Sequence, residues 1–344
     1  MNRASAVSSG SARADAVLPR ALIERLADGA AAGRLALAGG LGLSSDELDE
    51  ALSGLRAAGL ELVEAGDGAL RLGAPIRWID AAAIEAALDT GTRALIERLE
   101  LAFELESTNR HLLDAAVPTR GLMQVAIAEY QHGGRGRHGR RWTMPPGAGL
   151  ALSAAWRFER GPEALAAFSL AVGAAARRAI RDAARIDAGL KWPNDLVVDG
   201  GKLGGILVEL DPLDAGACRV VAGIGINVRV PASCLAGLSD YRHGARDLAG
   251  AAGFEIDRSQ LAAALISRLA ELFSGYADAG FAPYRAEWRQ AHVLEAEAVE
   301  LVTPSGAWAG IVRGIEDDGS LLVEDEAGAV RRVVSGDVTV RARG

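Results

Sequence analysis

The sequence predicts an α+β protein with three parts: a small helical module, a central mixed-sheet domain and a terminal β-barrel. Short helical stretches dominate residues 20–57, and alanine-rich helical segments alternate with strand-like runs across residues 79–290. Residues 291–344 change to short β-rich runs separated by turn pairs. At 344 residues the chain is long enough to bury more than one hydrophobic core.

The tail and the composition favour a protein of the cytoplasm. Residues 1–19 are small and Ser-rich and lack an apolar stretch, so we expect a disordered tail and no secretion signal. No stretch approaches the ~18 consecutive apolar residues of a membrane-spanning helix. Cys218 and Cys234 are too few for a disulfide framework or a zinc site, and we expect both to be structural.

Residues 20–78 have the pattern of a winged helix-turn-helix. The expected elements are helices at 20–28, 34–41 and 45–57, then a hairpin-like pair of runs at 60–63 and 69–72 across Gly66-Asp-Gly68. Ser44 or Ser45 can cap the third helix.

The third helix is acidic where a DNA-reading helix is usually basic. Its first turns carry Asp46, Glu47, Asp49 and Glu50, which suit the positive end of the helix dipole but would repel phosphates. Together with the net charge of −8 and the pI of 5.3, this disfavours nucleic-acid binding. The module is therefore either a weak DNA reader or a retained scaffold without operator affinity.

The central part predicts a mixed sheet covered by helices. The expected helices are 81–99, 162–185 and 258–275, and the expected strands are 123–130, 149–158, 190–198, 203–210 and 219–230. In the last part, short strands are expected at 298–302, 308–315, 321–324 and 330–334. Turn pairs such as Asp318-Gly319 separate these strands, as is typical of a small barrel.

A basic, glycine-rich loop follows the strand that ends at Tyr130. Residues 131–142 contain four arginines, four glycines and no acid, which is a composition suited to gripping carboxylate or phosphate. Residues 134–139 also fit the G-x-G-x-x-G pattern, but Pro145 and Pro146 prevent the helix that a dinucleotide site requires. The loop therefore predicts an anion site other than an NAD site.

Two further segments point to the same chemistry. The Asp199-Gly200 turn predicts a hairpin that brings Lys191 and Lys202 together, so that two ammonium groups converge on an anion. Strand alternation places Gly223, Gly225 and Asn227 on one face of the strand at 219–230. This glycine face either receives a flat ring whose polar edge Asn227 reads, or packs under another element of the chain.

Neutral hydrogen-bonding groups accompany these cations. Ser107, Thr108 and Asn109 precede a helix, and Gln131 begins the basic loop, as a small polar ring bearing a carboxylate would require. No serine or cysteine nucleophile with a histidine base stands out, and His132 and His138 lack an obvious acidic partner. We therefore expect a reaction between an anionic acid and ATP that relies on positioning and charge stabilisation.

Five motifs in order identify a family that the chain resembles. They are Glu-Ser-Thr-Asn at 106–109, Gly-Arg-Gly-Arg-His-Gly-Arg-Arg-Trp at 134–142, Lys-Trp-Pro-Asn-Asp at 191–195, Gly-Lys-Leu-Gly-Gly-Ile at 201–206 and Gly-Ile-Gly-Ile-Asn at 223–227. Residues 20–344 resemble biotin protein ligases of the bifunctional ligase and biotin-operon repressor type. The resemblance implies a class II synthetase-like catalytic domain at 79–290 and an SH3-like domain at 291–344.

The resemblance also implies a reaction and its residues. Biotin and ATP, with Mg²⁺, would form biotinyl-AMP, and a lysine of the biotin carboxyl carrier protein of acetyl-CoA carboxylase would take the acyl group. The implied catalytic residues are Arg137, Lys202, Lys191 and Asp195. The implied biotin-binding residues are Ser107, Thr108, Asn109, Gln131, Arg135, Gly136, Arg137 and Lys202. The implied adenylate-binding residues are Arg135, Arg137, Arg140, Trp142, Lys191, Asn194, Gly205 and Asn227.

Several alternatives stay open at this stage. Asp195 could orient the incoming lysine, assist its deprotonation, place Mg²⁺ or simply form a turn. The resemblance implies an adenylate-bound homodimer that represses transcription at operator DNA, but the acidic third helix departs from that role. The rival functions are a lipoate or octanoate ligase and a ligand-sensing repressor whose ligase activity has decayed.

Overall fold

The structure is a computed structural model that describes residues 18–66, 68–235, 241, 243–303, 306–334 and 339–342. The helices are α1 (Arg20–Leu26), α2 (Arg34–Leu41), α3 (Ser45–Ala57), α4 (Ala81–Ala87), α5 (Thr90–Ala94), α6 (Thr108–Asp114), α7 (Phe168–Ala184), α8 (Ala232–Leu235), α9 (Leu248–Ala252), α10 (Arg258–Ala279) and α11 (Ala282–Ala291). The strands are β1 (Leu62–Glu64), β2 (Leu70–Leu72), β3 (Ile96–Leu105), β4 (Met123–Gln131), β5 (Gly149–Phe158), β6 (Gly189–Lys191), β7 (Asp195–Val198), β8 (Gly201–Pro212), β9 (Cys218–Asn227), β10 (Ala298–Thr303), β11 (Gly306–Ile315), β12 (Leu321–Asp325), β13 (Val330–Val333) and β14 (Thr339–Ala342).

The N-terminal module forms its own apolar cluster from α1–α3 and the β1–β2 hairpin. Helices α2 and α3 have the predicted bounds, and Ser44 and Glu47 form a capping box at the start of α3. The disordered tail was predicted to extend to residue 19, but Leu18 is buried in this cluster, and its N–H donates to Glu104 Oε2 at 3.0 Å. Residues 1–17 and Asp67 of the predicted hairpin turn lie outside the described residues.

The central sheet is mixed, as predicted, with strand order β3-β4-β5-β9-β8-β7-β6. Strand β3 runs parallel to β4, and every other neighbouring pair is antiparallel. Helices α7 and α10 cover one face with the main hydrophobic core. On the opposite face, α6 packs through Leu112 against Ala126, Ala155 and Val221, and the rest of that face is left for a site.

Two predicted elements of this region were wrong. The helix expected at 81–99 ends early, because Leu88 adopts extended backbone angles and Asp89 caps a separate short helix. The chain then enters β3, where pairing with β4 overrides the helical preference of the Leu- and Glu-rich sequence. The run at 190–198 is two strands, β6 and β7, joined by a turn.

The C-terminal sheet is antiparallel, with order β13-β12-β11-β10-β14. Strand β14 was not predicted. Val299, Leu301 and Val312 of this sheet belong to the same buried cluster as the central core, and Trp192 Nε1 donates to Gly319 O at 2.9 Å. The C-terminal sheet is thereby fixed to the central sheet next to the Lys-Trp-Pro-Asn-Asp segment.

Two smaller expectations concern membrane-spanning helices and the two cysteine thiols. Among the described residues, no helix has both the length and the apolar character that a bilayer crossing requires. Cys218 is a buried free thiol and Cys234 is an exposed one. Burial raises the pKa of the Cys218 thiol, which fits its predicted structural role.

A buried histidine makes stability depend on pH. The His292 side chain is 0% exposed and packs against Trp288 in a tilted arrangement, with ring centroids 4.7 Å apart, while Glu295 Oε2 lies 3.6 Å from its Nδ1, beyond hydrogen-bonding distance. Burial lowers its pKa to about 3. The folded protein therefore binds fewer protons here than the unfolded chain, whose histidines titrate near ~6.5.

We expect this histidine to destabilise the protein in acid. Its contribution to the free energy of unfolding is complete above pH ~6.5 and decreases toward pH ~3, by up to about 1.4 kcal/mol per pH unit. His292→Phe should flatten the curve of unfolding free energy against pH in this window, measured by denaturant titration. The exposed His243 provides the control, because His243→Gln should retain the wild-type slope. Equal slopes for His292→Phe and wild type would contradict this account.

Candidate functional site

A cavity of about 340 Å³ lies on the sheet face that α6 leaves open. Its walls come from the start of α6, the basic loop, strands β5 to β9 and the C-terminal sheet. The lining residues include Ser107, Thr108, Asn109, Gln131, Arg135, Gly136, Arg137, Arg140, Trp142, Lys191, Asn194, Asp195, Lys202, Gly205, Gly223, Gly225, Tyr241 and Val340. Every sequence-predicted site residue except Asn227 therefore lines this one cavity.

Strand register explains how distant motifs meet. Across the sheet Ala151 pairs with Gly225, Gly225 with Gly205, Gly205 with Asp195, and Asp195 with Lys191. Directly paired residues on neighbouring strands point to the same face of a sheet. One row of the sheet thus joins three of the sequence motifs on the cavity floor.

One end of the cavity is neutral and polar. Thr108 N–H donates to Gln131 Oε1 at 2.8 Å, and the Thr108 hydroxyl lies 3.2 Å from the same oxygen. Ser153 Oγ lies 2.6 Å from both Thr108 Oγ1 and Asn109 Oδ1. The Ser107 side chain caps α6 by accepting from Arg110 N–H. These groups, of which all but the half-buried Gln131 are buried, form a fixed set of donors and acceptors at the start of α6.

The Asn109 amide is already satisfied by the protein. Its Nδ2 donates to Leu207 O at 3.1 Å and to Glu209 Oε2 at 2.7 Å, and its Oδ1 accepts from Ser153. A primary amide has two N–H donors, so both are in use. Asn109 therefore stiffens this end of the cavity through its own network.

The other end is cationic. Lys202 Nζ lies 2.6 Å from Asp195 Oδ1, and the Tyr241 hydroxyl donates to Asp195 Oδ2. Lys191 is buried, with its Nζ 4.0 Å from the centroid of the Tyr241 ring. The predicted convergence of the two lysines is present, because β6 and β8 both pair with β7.

The basic loop folds back on itself beside this end. Gly136 N–H donates to Arg140 O at 2.7 Å and Trp142 N–H to Gly134 O at 2.8 Å, with a 3₁₀ turn at Arg137–Gly139. A Cβ on Gly134 would collide with the Trp142 carbonyl, so this close approach requires glycine. The fold of the loop presents its arginines at the cavity instead of scattering them over the surface.

The glycine face of β9 is covered by the chain's own side chains. A Cβ on Gly223 would collide with the Asn109 amide, and one on Gly225 would lie 2.6 Å from the Trp142 indole. Gly223 and Gly225 therefore lie under Asn109 and Trp142 and also line the cavity. Asn227 is not brought to the cavity, because its Nδ2 donates to Arg246 O at 3.0 Å and lies 3.5 Å from Lys202 O.

Among the lining and supporting residues that were missed from the sequence, three make specific polar contacts. Ser153 has a fully buried hydroxyl in the apolar strand β5. A polar residue within an apolar run usually has a hydrogen-bonding partner, and this could have indicated its role. Glu209 accepts a hydrogen bond from Asn109 and lies 3.5 Å from Arg135, and Tyr241, which belongs to no sequence motif, lines the cavity. The expectation that His132 lacks an acidic partner was wrong, since its Nδ1 lies 3.1 Å from Glu104 Oε1.

The site can bind and polarise an anion beside a neutral polar group. The described residues contain no cluster of three or more His, Cys, Asp or Glu side chains that could hold a metal ion. Asp195 is the one acidic residue among the lining residues that the structure describes. The arrangement supports reactions driven by position and charge.

Comparisons with known proteins match two parts of the chain to family profiles. Residues 104–227 match the profile of the Biotin/lipoate A/B protein ligase family, and residues 297–341 match the Biotin protein ligase C terminal domain. Among solved structures, that of biotin protein ligase from Aquifex aeolicus in complex with biotin and ATP superimposes with a TM-score of 0.59 and 25% identity. The superposition covers 72% of this chain and 99% of the Aquifex aeolicus chain.

Two relatives are similar over almost their whole length. The chain is 33% identical over 331 residues to the Bifunctional ligase/repressor BirA of Salmonella typhimurium, covering 95% of this chain and 99% of that protein. The Escherichia coli protein of the same name is 34% identical over 331 residues, with 95% and 98% covered. The Biotin--[acetyl-CoA-carboxylase] ligase of Paracoccus denitrificans is 33% identical over 65% of this chain and 92% of its own length.

Proposed function

Because the chain belongs to the biotin protein ligase family, we propose that it attaches biotin to a carrier protein in two steps. A biotin carboxylate oxygen bonds to the α-phosphorus of ATP and pyrophosphate leaves, giving biotinyl-AMP. The amine of a carrier lysine then bonds to the acyl carbon, AMP leaves with the electron pair of the broken C–O bond, and the amine proton passes to solvent. The carrier is the biotin carboxyl carrier protein of acetyl-CoA carboxylase.

The observation that carries this proposal is the division of the cavity into a neutral and a cationic end. The ureido ring of biotin has N–H donors and a carbonyl acceptor, which match the hydroxyls of Ser107 and Thr108 and the amide of Gln131, while the fully buried Ser153 hydroxyl supports Thr108 from behind. The biotin carboxylate then extends toward the Lys202 ammonium. Asn109 serves this pocket as a support, because its amide is engaged within the protein.

The cationic end holds two anions together. We assign Arg135, Gly136, Arg137, Lys191 and Lys202 to the carboxylate and the α-phosphate, whose mutual repulsion they offset. Arg140, Trp142, Asn194 and Gly205 line the remaining wall and are assigned to the adenylate. Asn227 acts from behind that wall, since it fixes the backbone of Lys202 and Arg246.

Mg²⁺ enters this scheme as a companion of ATP. The lining offers a single carboxylate, Asp195, and Lys202 and Tyr241 already contact it. Mg²⁺ keeps several waters and is commonly bound through substrate phosphates plus one or two carboxylates. The donor set fits a metal delivered on the triphosphate, and the ion supplies charge neutralisation there. ATP as a substrate also fits the cytoplasmic setting expected from the sequence.

A lipoate or octanoate ligase is disfavoured by the neutral end. An alkyl chain or dithiolane accepts no hydrogen bond from the N–H groups of the Gln131 amide, and a polar group that is buried without a partner costs roughly 1–3 kcal/mol. A repressor with decayed ligase activity is disfavoured by the assembled cationic end, since Lys191, Lys202 and the basic loop all face the cavity.

Intact-mass spectrometry of a carrier domain tests the function. The protein is incubated with the carrier, biotin, ATP and Mg²⁺, and lipoate replaces biotin in a parallel reaction. We expect a mass gain of one biotinyl group that requires ATP and the carrier's target lysine. The proposal would be overturned if the carrier gained mass with lipoate and not with biotin. It would also be overturned if a carrier that another biotin ligase modifies gained no mass in this reaction.

The fold of each part is proposed in finer terms. We assign residues 20–78 to a winged helix-turn-helix, 79–290 to a class II synthetase-like catalytic domain and 291–344 to an SH3-like barrel. Three helices followed by a hairpin support the first assignment, and a five-stranded antiparallel sheet supports the last. Residues 1–17 and 343–344 lie outside the described residues.

The N-terminal module is proposed as a scaffold without strong operator affinity. Asp46, Glu47, Asp49 and Glu50 are all exposed on α3, and Asp49 pairs with Arg34, which removes one cation from the module's surface. Binding to phosphates relies on such cations. Homodimerisation of the adenylate-bound protein, implied by the family, remains a proposal beside this one.

An electrophoretic shift assay checks the module. We expect no biotin-operator-specific shift at physiological salt, with or without biotinyl-AMP, because the exposed face of α3 repels DNA. The E. coli relative named a ligase/repressor serves as the control protein in the same assay. A salt-dependent, sequence-specific shift by this chain would establish a repressor role instead.

Ligand binding should also protect the basic loop from trypsin. Arg135, Arg137 and Arg140 line the cavity, so a bound adenylate occludes the bonds that follow them. With biotin plus ATP, cleavage within 135–141 should slow, while cleavage at the exposed Arg120 and Arg160 continues as before. Mass spectrometry of the fragments measures both, and unchanged cutting of the loop at saturation contradicts its assignment.

A further inference from the structure

Tyr241, which carries no sequence motif, closes the cationic end of the cavity. Its ring centroid lies 4.0 Å from Lys191 Nζ and 5.8 Å from Lys202 Nζ. Its hydroxyl donates to Asp195 Oδ2, and Asp195 Oδ1 lies 2.6 Å from Lys202 Nζ. Lys191, Asp195, Lys202 and Tyr241 thus form one connected group, which we call the lysine bracket.

The charges of the lysine bracket explain the aromatic ring. Two ammonium groups share a partly buried space with a single carboxylate, and Asp195 contacts Lys202 directly. The negative face of an aromatic ring attracts cations within about 6 Å of its centroid. The Tyr241 ring therefore attracts both ammonium groups without adding an anion that would repel the phosphates of ATP.

Gly244 and Arg246, three and five residues after Tyr241, are hydrogen-bonded to β8. Lys202 N–H donates to Gly244 O and Arg246 N–H to Lys202 O, both at 2.9 Å. The Asn227 amide adds a bond to Arg246 O at 3.0 Å. The position of the tyrosine is thus linked to the strand that carries Lys202.

Resting on the ligase function proposed above, we propose that Tyr241 is a positioning residue for adenylate formation: its ring sets the two lysine ammonium groups and its hydroxyl sets Asp195. In this step a bond forms between a biotin carboxylate oxygen and the α-phosphorus, and the bond from that phosphorus to pyrophosphate breaks. No proton is transferred, so the chain contributes position and charge. Asp195, whose two oxygens are engaged within the bracket, acts here by orienting Lys202.

The two parts of the tyrosine can be removed separately. Tyr241→Phe keeps the ring and deletes the hydroxyl, whereas Tyr241→Leu deletes both. In single-turnover pyrophosphate release with biotin, ATP and Mg²⁺, we expect Tyr241→Leu to be slower by roughly tenfold or more, with Tyr241→Phe in between. In steady-state assays, kcat should fall by a larger factor than the KM for biotin rises, because the neutral end of the cavity is unchanged and only the lysine ammonium groups are displaced.

A matched control is Tyr284→Phe on α11. This ring also faces a cation, with its centroid 5.2 Å from Arg178 Cζ, but it does not line the cavity, so both kinetic constants should remain at wild type. Because Tyr241 and Asp195 act together, Tyr241→Phe combined with Asp195→Asn should lose little more than Asp195→Asn alone. Thermal melting of each variant monitors the fold.

The outcomes separate this proposal from the function on which it rests. If the wild-type protein releases no pyrophosphate, the ligase function falls and this proposal falls with it. If the wild type is active and Tyr241→Leu matches its kcat, the positioning role of Tyr241 alone is overturned. If the losses of Tyr241→Phe and Asp195→Asn multiply in the double variant, the hydroxyl does not act through Asp195.

Discussion

Replacing Lys202 by alanine is expected to slow biotinyl-AMP formation by roughly 10²–10³-fold, the range measured when one preorganised charge-stabilising donor is removed from an active site. The substitution removes the ammonium group that we assign to both reacting anions. It also leaves the Asp195 carboxylate, which Lys202 Nζ contacts at 2.6 Å, without this counter-ion. An uncompensated carboxylate would then repel the triphosphate. Pyrophosphate release at saturating biotin and ATP measures the effect.

A second substitution separates these two causes. In Lys202→Ala combined with Asp195→Asn the repelling carboxylate is gone, so part of the activity should return, to roughly tenfold above the single variant. The melting temperature should change little, because both side chains lie at the cavity and outside the hydrophobic core. A Lys202→Ala protein that forms the adenylate at the wild-type rate would remove Lys202 from the catalytic residues.

The motifs that carry chemistry were predictable because they are local. The glycines and arginines of residues 131–142 indicate an anion loop by composition alone, and the structure folds them beside a cavity. The capping signal of Ser44 and the hairpin at Asp199-Gly200 depend on neighbours a few residues away. Interactions of this kind are encoded within one segment and need no knowledge of the tertiary fold.

What was missed depends on strand register and on tertiary packing. The row from Ala151 to Lys191 exists only because β5, β9, β8, β7 and β6 pair in one register. The first residues of β3 were predicted to be helical, and their strand structure depends on pairing with β4. Asn227 is a residue type that often contacts ligands, but its amide N–H groups point to the nearby carbonyls of Lys202 and Arg246. Periodicity in a single segment contains none of this information.

A buried ion pair joins the N-terminal module to the central sheet. Arg258, at the start of α10, has a side chain only 6% exposed, and that of its partner Glu129 on β4 is 4% exposed. Arg258 Nη1 donates to Glu129 Oε2 at 2.6 Å and to Gly149 O at 3.0 Å, and Nη2 donates to Arg77 O. Glu129 Oε1 accepts from Ile79 N–H at 2.6 Å. One guanidinium thus connects two strands, a helix and the segment that leads out of the N-terminal module.

Arg258→Leu is expected to lower the free energy of unfolding by about 3–5 kcal/mol, since breaking a buried pair leaves an uncompensated charge. Urea titration followed by circular dichroism measures the loss. On the same helix, Arg268 makes exposed pairs with Asp182 and Glu271, and Arg268→Ala should lose at most about 1 kcal/mol. Adding Glu129→Leu to Arg258→Leu should recover part of the stability, because the stranded carboxylate is removed while Ile79 N–H and the Gly149 carbonyl stay unsatisfied. If the Arg258→Leu and Arg268→Ala proteins were equally stable, the Arg258–Glu129 ion pair would contribute no more to stability than a surface ion pair does.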